Sequence, residues 1–230
     1  MPVGDEAVVL ARVLSCPELF DVESVEEAEE VARKLVEGEL EPPLEFFGLR
    51  SEAVNEVLAV TEGPEGRNVA PLGLRVFNGE LGAVLYPGSR TRRNFEETGR
   101  MVACVNPNPV DFLRALFDEL PIRECGGVPV AEGTRAFLVL ERVRESGGGD
   151  DPLRVELEPV DWGLLHPRPR ALVRGEGALV EALVEFTRLH LGESHARRCR
   201  EALEVVKRTV GSREYREAVK RLEERLGARS

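Results

Sequence analysis

Every side-chain amide of this chain is an asparagine. All six (Asn55, Asn68, Asn78, Asn94, Asn106 and Asn108) fall within one quarter of the sequence, and there is no glutamine. An amide on a short stem offers a donor and an acceptor, which suits reading the edge of a heterocycle. Two uncommon strings share that stretch: Asn68-Val69-Ala70-Pro71-Leu72-Gly73 and Gly88-Ser89-Arg90-Thr91-Arg92-Arg93-Asn94. Hydroxyls and guanidiniums beside a glycine suit a phosphate. Together the strings predict a site for a phosphorylated, ring-bearing cofactor. The plainer alternatives are an N-capped helix with solvated arginines for the second string and an edge strand interrupted by Pro71 for the first.

These residues are positioned by strand ends. Residues 53–62 read as a strand, and Glu62-Gly63-Pro64-Glu65-Gly66 as a loop. Residues 68–77 and 80–86 read as two further strands joined by Asn78-Gly79, a strong hairpin signal. The last of these opens into Pro87-Gly88-Ser89-Arg90-Thr91. A helix is expected from about Arg92 to Thr98, with Thr91 as its N-cap and Gly99 as its terminator. Residues 101–106 form another strand, 110–119 a short helix, and 134–145 and 153–160 two strands around Gly147-Gly148-Gly149-Asp150-Asp151. Strands joined by hairpins with one or two short helices predict an antiparallel barrel.

On either side the pattern changes. Residues 7–14 read as a short apolar strand. Ser24 and Glu27 form a capping box ahead of a helix over 25–37. From Glu176 the apolar period becomes helical, with Leu179, Leu183, Phe186 and Leu189 on one helix. Ser194 and Ser212 are placed to cap two more. The expected organisation is an N-terminal strand–helix appendage over 1–45, a barrel over 46–165 and a C-terminal helical subdomain over 166–230.

The chain has 230 residues, 42% of them hydrophobic and 32% charged, which reads as soluble and globular. A net charge of −11 argues against a nucleic-acid or anionic-membrane partner. No apolar run approaches the roughly 18 residues of a membrane span. Asp5 and Glu6 stand where a signal peptide would be basic, so a cytoplasmic location is expected. Cys16, Cys104, Cys125 and Cys199 form no CxxC pair and read as reduced, mostly buried thiols. His190 and His195 are five apart, one too many for a metal pair on one helix face. Only three lysines beside many arginines, few methionines and no glutamine suggest a thermophilic host. A dinucleotide fingerprint is absent, because Gly147-Gly148-Gly149 opens no helix. No Ser-His-Asp constellation stands out, and the carboxylate pairs Glu96-Glu97 and Glu223-Glu224 read as solvated helix faces.

In this order, Thr61, then Gly66 to Gly73, then Ser89 to Asn94, then Thr98-Gly99-Arg100-Met101-Val102-Ala103-Cys104-Val105-Asn106 resemble the flavin-reductase-like FMN-binding split-barrel superfamily. Within it, Pro87-Gly88-Ser89-Arg90-Thr91, His166-Pro167-Arg168-Pro169-Arg170 and Glu181 to Arg188 are similar to an archaeal family of unknown function. The resemblance covers about residues 46–190. It implies FMN, a split β-barrel and a homodimer with the cofactor near the subunit interface. It places Ser89, Arg90 and Thr91 on the phosphate, and Asn94 on phosphate or ribityl. Thr61, Asn68, Val69 and Ala70 line the flavin ring, with Asn106 reaching it as well. Leu74 stands where many reductases of the superfamily have a serine, which removes one ring contact.

The leading functional reading is an FMN-dependent oxidoreductase or flavin reductase. A nicotinamide nucleotide or a protein electron donor would be its partner, and the flavin would carry the redox chemistry. The alternatives are a non-enzymatic FMN-binding or electron-shuttling module, and a flavin-free barrel acting in assembly.

Overall fold

The computed structural model describes residues 3–227; the outer ends of the first and last expected segments, residues 1–2 and 228–230, lie outside it. The strands are β1 (Val3–Gly4), β2 (Ala53–Thr61), β3 (Asn68–Phe77), β4 (Glu80–Leu85), β5 (Arg100–Val105), β6 (Ile122–Cys125), β7 (Val128–Ala131), β8 (Ala136–Ser146), β9 (Leu153–Leu164) and β10 (Leu172–Val173). The helices are α1 (Glu6–Ser15), α2 (Val25–Glu37), α3 (Arg90–Thr98), α4 (Pro109–Leu116), α5 (Arg174–Thr187), α6 (Glu193–Thr209) and α7 (Arg213–Gly227).

Six antiparallel strands close on themselves in the order β9-β4-β3-β2-β5-β8, with β8 returning to β9. The expected barrel is therefore present. Alternation along each strand sorts its two faces. Val57 and Ala59 of β2, Leu72, Leu74 and Val76 of β3, Met101, Ala103 and Val105 of β5, and Leu138 and Leu140 of β8 join one interior cluster. The other face of β2, β5 and β8 (Leu58, Val60, Val102, Cys104, Phe137, Val139) is covered by α4 and the β6–β7 hairpin. That hairpin has no counterpart in the expected elements. The β3–β4 turn is the one expected: Asn78 and Gly79 both have positive φ, 53° and 79°, and Phe77 pairs with Glu80 across it. Two positive φ values in succession match the right-handed twist of the flanking strands.

Each barrel end carries a plug. At the end where β2 begins, Phe46 and Phe47 are buried and pack edge-on to each other. Trp162 of β9 lies 6.1 Å from Phe46 and 5.5 Å from Phe47, between ring centroids. Val9 and Val13 of α1 and Ala28, Ala32 and Leu35 of α2 belong to the same cluster as the barrel interior. At the opposite end sits α3, with Phe95 buried in that cluster.

The expectation of a strand over 7–14 is overturned: this segment is α1. The Asp5 side chain accepts from the Ala7 N–H at 2.9 Å and starts the helix. The run of apolar residues hid a helical face, because Val9 and Val13, four apart, are the ones buried. The capping box of α2 forms as expected, with Glu27 N–H donating to Ser24 Oγ at 3.2 Å and Ser24 N–H to Glu27 Oε2 at 3.3 Å. Downstream, α6 begins after Gly192 with no side-chain cap, so Ser194 is not its cap. Ser212 precedes α7, but its buried Oγ has no hydrogen-bond partner.

The three C-terminal helices bury their apolar faces against one another, through Ala182, Cys199, Leu203, Val206, Val219, Leu222 and Leu226. They dock on the barrel through β10, which pairs with β2, and through Arg50, which binds Glu176 and stacks 4.8 Å from the Tyr215 ring centroid. Three of the four cysteines are buried and Cys125 is partly exposed; all four are free. Full burial pushes the Cys104 thiol up to about 11. Among the described residues, no helix is long and apolar enough to cross a membrane.

Replacing Phe46 by alanine removes the central ring of this end plug. The expected loss is about 3–5 kcal/mol of unfolding free energy, the usual range for a buried Phe→Ala. Chemical denaturation followed through Trp162, the single tryptophan, measures it. Native emission should shift as well, because the ring packed against the indole is gone.

Candidate functional site

The polar residues singled out in the sequence converge where β2 ends, β3 begins and α3 closes the barrel. The interior parity of β2 continues from Val57 and Ala59 to Thr61, which pairs in register with Asn68 of β3. Thr61, Asn68, Thr91 and Asn94 are all buried. Asn68 Nδ2 donates to Thr91 Oγ1 at 2.9 Å. Asn94 Nδ2 donates to the Gly66 carbonyl at 2.9 Å, with Thr61 Oγ1 and the Thr61 carbonyl at 3.4 and 3.5 Å. The two amides thus tie α3 to the strand end and to the 62–67 loop. Val69 is buried on the outer face and Ala70 is partly exposed, both just inside the rim of β3.

The helix starts earlier than expected, and its cap is Ser89 instead of Thr91. Ser89 is extended (φ −79°, ψ 144°), and its Oγ accepts from the Arg92 N–H at 3.2 Å. The same hydroxyl donates to the Tyr86 carbonyl at 2.9 Å. Thr91 lies inside the first turn, where its side chain turns inward to Asn68. The first turn of a helix leaves N–H groups without intrahelical partners. With Arg92 and Arg93 N–H satisfied by Ser89, the Arg90 and Thr91 N–H groups remain, aligned with the positive end of the helix dipole.

The arginines divide. Arg92 is buried and turned away, bonded to Glu96 at 2.8 Å and to the Asp151 carbonyl at 2.9 Å. Arg93 holds Glu65 in a fork, Nε to Oε1 at 2.5 Å and Nη2 to Oε2 at 2.7 Å, and reaches the Gly88 carbonyl at 2.6 Å. Arg90 binds Asp118 at 3.1 Å, lies 3.9 Å from Glu65 and touches the Glu65 and Arg67 carbonyls. Arg67 is paired with Glu62 and Glu124. The basic cluster read from the sequence is therefore matched by carboxylates. The Arg93 hydrogen bond, which outweighs desolvation, holds the Glu65 carboxyl below its usual range, and Glu65 in turn raises Arg93.

Two features point to an incomplete site. Asn94 Oδ1 is buried without a hydrogen-bond partner. An orphaned buried acceptor is costly and asks for an explanation. It faces Gly63, where a Cβ would stand 2.5 Å from it and 2.8 Å from the Asn94 Cα. Only glycine allows the 62–67 loop to approach α3 this closely.

The remaining asparagines lie elsewhere. Asn106 follows β5 at the opposite barrel end; five residues of strand, roughly 16 Å, separate its level from that of Thr61. It donates to Asp111 at 3.0 Å and to the Glu132 carbonyl at 3.1 Å, and its oxygen accepts from Asn108 N–H. Asn108 caps α4, Asn55 clamps both backbone groups of Arg50, and Asn78 makes the hairpin. Only two of the six amides therefore meet at the site. Glu65, Asp118 and Gly63 were missed in the sequence. Glu65 and Asp118 pair with α3 across 28 residues in each direction, and Gly63 meets Asn94 from further off; all three depend on how the helix docks, and no local spacing signals them. His195 lies on Glu185 at 2.6 Å. Among the described residues, no group of three or more potential metal ligands occurs.

Two family models match the chain. The N-terminal domain of a protein of unknown function, DUF447, matches residues 55–166, and the second DUF447 model matches residues 173–224. The chain belongs to the DUF447 family. The two matches meet between β9 and β10, so the N-terminal model spans the barrel and the other spans the three C-terminal helices. No curated protein matches the chain. Among solved structures, it is similar to an FMN-bound protein of Methanosarcina mazei described as DUF447. That match has 25% identity, covers 79% of this chain and 98% of the other, and has a TM-score of 0.47. An FMN-binding protein from Thermus thermophilus matches at 18% identity over 58% and 87% of the two chains, TM-score 0.44. The styrene monooxygenase flavin reductase from Pseudomonas putida matches at 14% over 53% and 85%, TM-score 0.43.

Replacing Asn94 by alanine removes the bonds that hold the 62–67 loop on α3, together with the orphaned oxygen. The expected net loss is about 1–3 kcal/mol, the cost of leaving buried carbonyls unpaired. Denaturant titration of the protein alone measures it. A change below about 0.5 kcal/mol would mean that the orphaned acceptor cancels the bonds made by the same side chain.

Proposed function

We propose that this DUF447 protein binds FMN at the junction of α3, the β2–β3 loop and the rim of β3, and that it works as a flavin-dependent oxidoreductase of the flavin-reductase type. One observation carries the reading: two free N–H groups at the start of α3 stand beside Arg90 and Arg93, in the string that resembles the phosphate-binding segment of FMN split barrels. The donor set fits a phosphomonoester. The Arg90 and Thr91 N–H groups, with the guanidiniums of Arg90 and Arg93, would hold the phosphate. Ser89 contributes by fixing the first turn, since both sides of its hydroxyl are already engaged. The rim residues Thr61, Asn68, Val69 and Ala70 would lie along the ring, and Asn94 would set the position of the loop. A second member of the family, the M. mazei protein, is described as FMN-bound, which supports the same cofactor here. When bound, FMN would supply the redox chemistry, and the protein would supply binding and orientation. Electrons would come from a nicotinamide nucleotide or a protein donor.

Titration of the protein with FMN, riboflavin and FAD tests the cofactor. Binding should be tightest for FMN. Arg90→Ala should weaken it by about 1.5–3 kcal/mol, the range for hydrogen bonds to charged groups, and leave riboflavin unchanged. Equal constants for FMN and riboflavin would remove the phosphate site. Loss of flavin colour on adding NADH or NADPH without oxygen would favour the reductase over a passive FMN carrier.

A homodimer belongs to the same reading. The apolar stripes of α5–α7 are largely used inside their own cluster. The more conspicuous uncovered face is on α4 and its C-cap, where Val110, Leu113, Leu116 and the capping Phe117 are exposed while Asp111 and Ala115 are buried. Next in the chain is Asp118, the partner of Arg90, so a second copy covering α4 would border the phosphate site. Leu113→Glu together with Leu116→Glu should convert a dimer to a monomer in sedimentation. A wild type that sediments as a monomer at micromolar concentration with FMN bound would sink this arrangement.

A further inference from the structure

We infer that Glu65 is a specificity-determining residue of this site: its carboxylate occupies the Arg93–Arg90 pair as an internal counter-ion, and a bound phosphomonoester must displace it. The inference rests on the FMN reading above and goes further, because it names what sets the selectivity. The 62–67 loop is strapped across the start of α3 by four kinds of contact. Glu65 sits in the Arg93 fork at 2.5 and 2.7 Å, and Arg90 lies 3.9 Å from the same carboxylate. Arg90 also donates to the Glu65 and Arg67 carbonyls at 3.4 and 3.3 Å. Asn94 Nδ2 holds the Gly66 carbonyl, and the buried, unpartnered Asn94 Oδ1 lies against Gly63. The planar fork of arginine accepts a carboxylate or a phosphate in the same two-point geometry. The two anions therefore compete for one seat.

The exchange favours one class of ligand. A phosphomonoester near pH 7 carries a charge close to −2 and three strong acceptor oxygens. In place of the Glu65 carboxylate it gives the Arg93 fork, and Arg90 beside its Asp118 partner, a more strongly charged acceptor, and the third oxygen can take the free N–H groups of Arg90 and Thr91. A carboxylate or a phosphodiester brings one charge and gains little over Glu65. An uncharged ligand displaces nothing. The neighbouring charges are already committed: Arg67 to Glu62 and Glu124, and Asp118 to Arg90. Releasing Glu65 would also loosen the loop against Asn94, where the orphaned oxygen shows the closed arrangement to be imperfectly satisfied.

The experiment compares wild type with E65Q, which keeps the size of the side chain and removes its charge at an exposed position. Binding constants for FMN and for riboflavin are measured on both proteins by quenching of flavin fluorescence. The expected result is FMN binding tighter by about fivefold in E65Q, the equivalent of one exposed ion pair, with riboflavin unchanged. Equal or weaker FMN binding by E65Q, with wild type binding FMN normally, overturns the counter-ion role and leaves the cofactor reading intact. Riboflavin gaining as much as FMN also overturns it, because the effect would then come from the loop alone. Failure of both proteins to bind FMN overturns the cofactor reading and this inference with it.

Discussion

A barrel closed by hydrogen bonds all the way round has no strand edges, so its interior meets water only at its two ends. In this protein both ends are sealed mainly by segments outside the strands. Where β2 begins, the seal is apolar: Phe46, Phe47 and Trp162, backed by α1 and α2. Where β2 ends, α3 is laid across the opening, with Phe95 in the interior cluster and Thr61, Asn68, Thr91 and Asn94 buried at the same junction. That second seal has to satisfy backbone groups of the β2–β3 loop as well as cover aliphatic side chains, because a buried carbonyl without a donor costs as much as a lost hydrogen bond. Short amides suit this task, and Asn68 and Asn94 perform it.

The proposed cofactor site is a consequence of that seal. Laying a helix across a barrel mouth points its first turn at the loop beside it, and a first turn always carries surplus N–H groups. The residues that close the barrel and those that would hold an anion therefore overlap. Asn94 shows the overlap within one side chain: its nitrogen is fully engaged in tethering the loop, while its oxygen finds no donor. Charge follows the same pattern. In a chain with a net charge of −11, the arginines of α3 create no broad positive field; each is met by a nearby carboxylate. Attraction of an anion must then come from a local exchange of partners, which is short-ranged and geometrically selective.

The helices outside the barrel have different roles. Those after β10 satisfy their own apolar faces and are held to the barrel by Arg50, Glu176 and Tyr215. The short α4 covers one flank of the barrel and leaves Leu113, Leu116 and Phe117 uncovered. Of the two, α4 leaves the larger unmet demand for apolar contact, and its end touches the start of α3 through Asp118.

Much of this was determined by the sequence alone. The hairpin at Asn78-Gly79, the capping box at Ser24 and Glu27, the strands of the barrel and the three C-terminal helices are local patterns, set by φ preferences and by periodicities of two or 3.6. The residues of the site were legible as a group for the same reason, since Asn68, Thr91 and Asn94 sit in strings that carry the family resemblance. Short apolar runs were not legible: Ala7 to Leu14 satisfies a strand as well as a helix until the Asp5 cap and the packing of Val9 and Val13 decide it. Nor could the sequence sort equal residue types by role. Six asparagines looked alike, and docking sent two to the site and four to turns, caps and clamps. Three arginines within four residues looked alike, and the helix turned one inward to Glu96 and two outward to carboxylates. Pairings such as Arg93 with Glu65 join residues 28 apart, whose distance is fixed only when β2, β3 and α3 meet, and tertiary structure alone makes that choice.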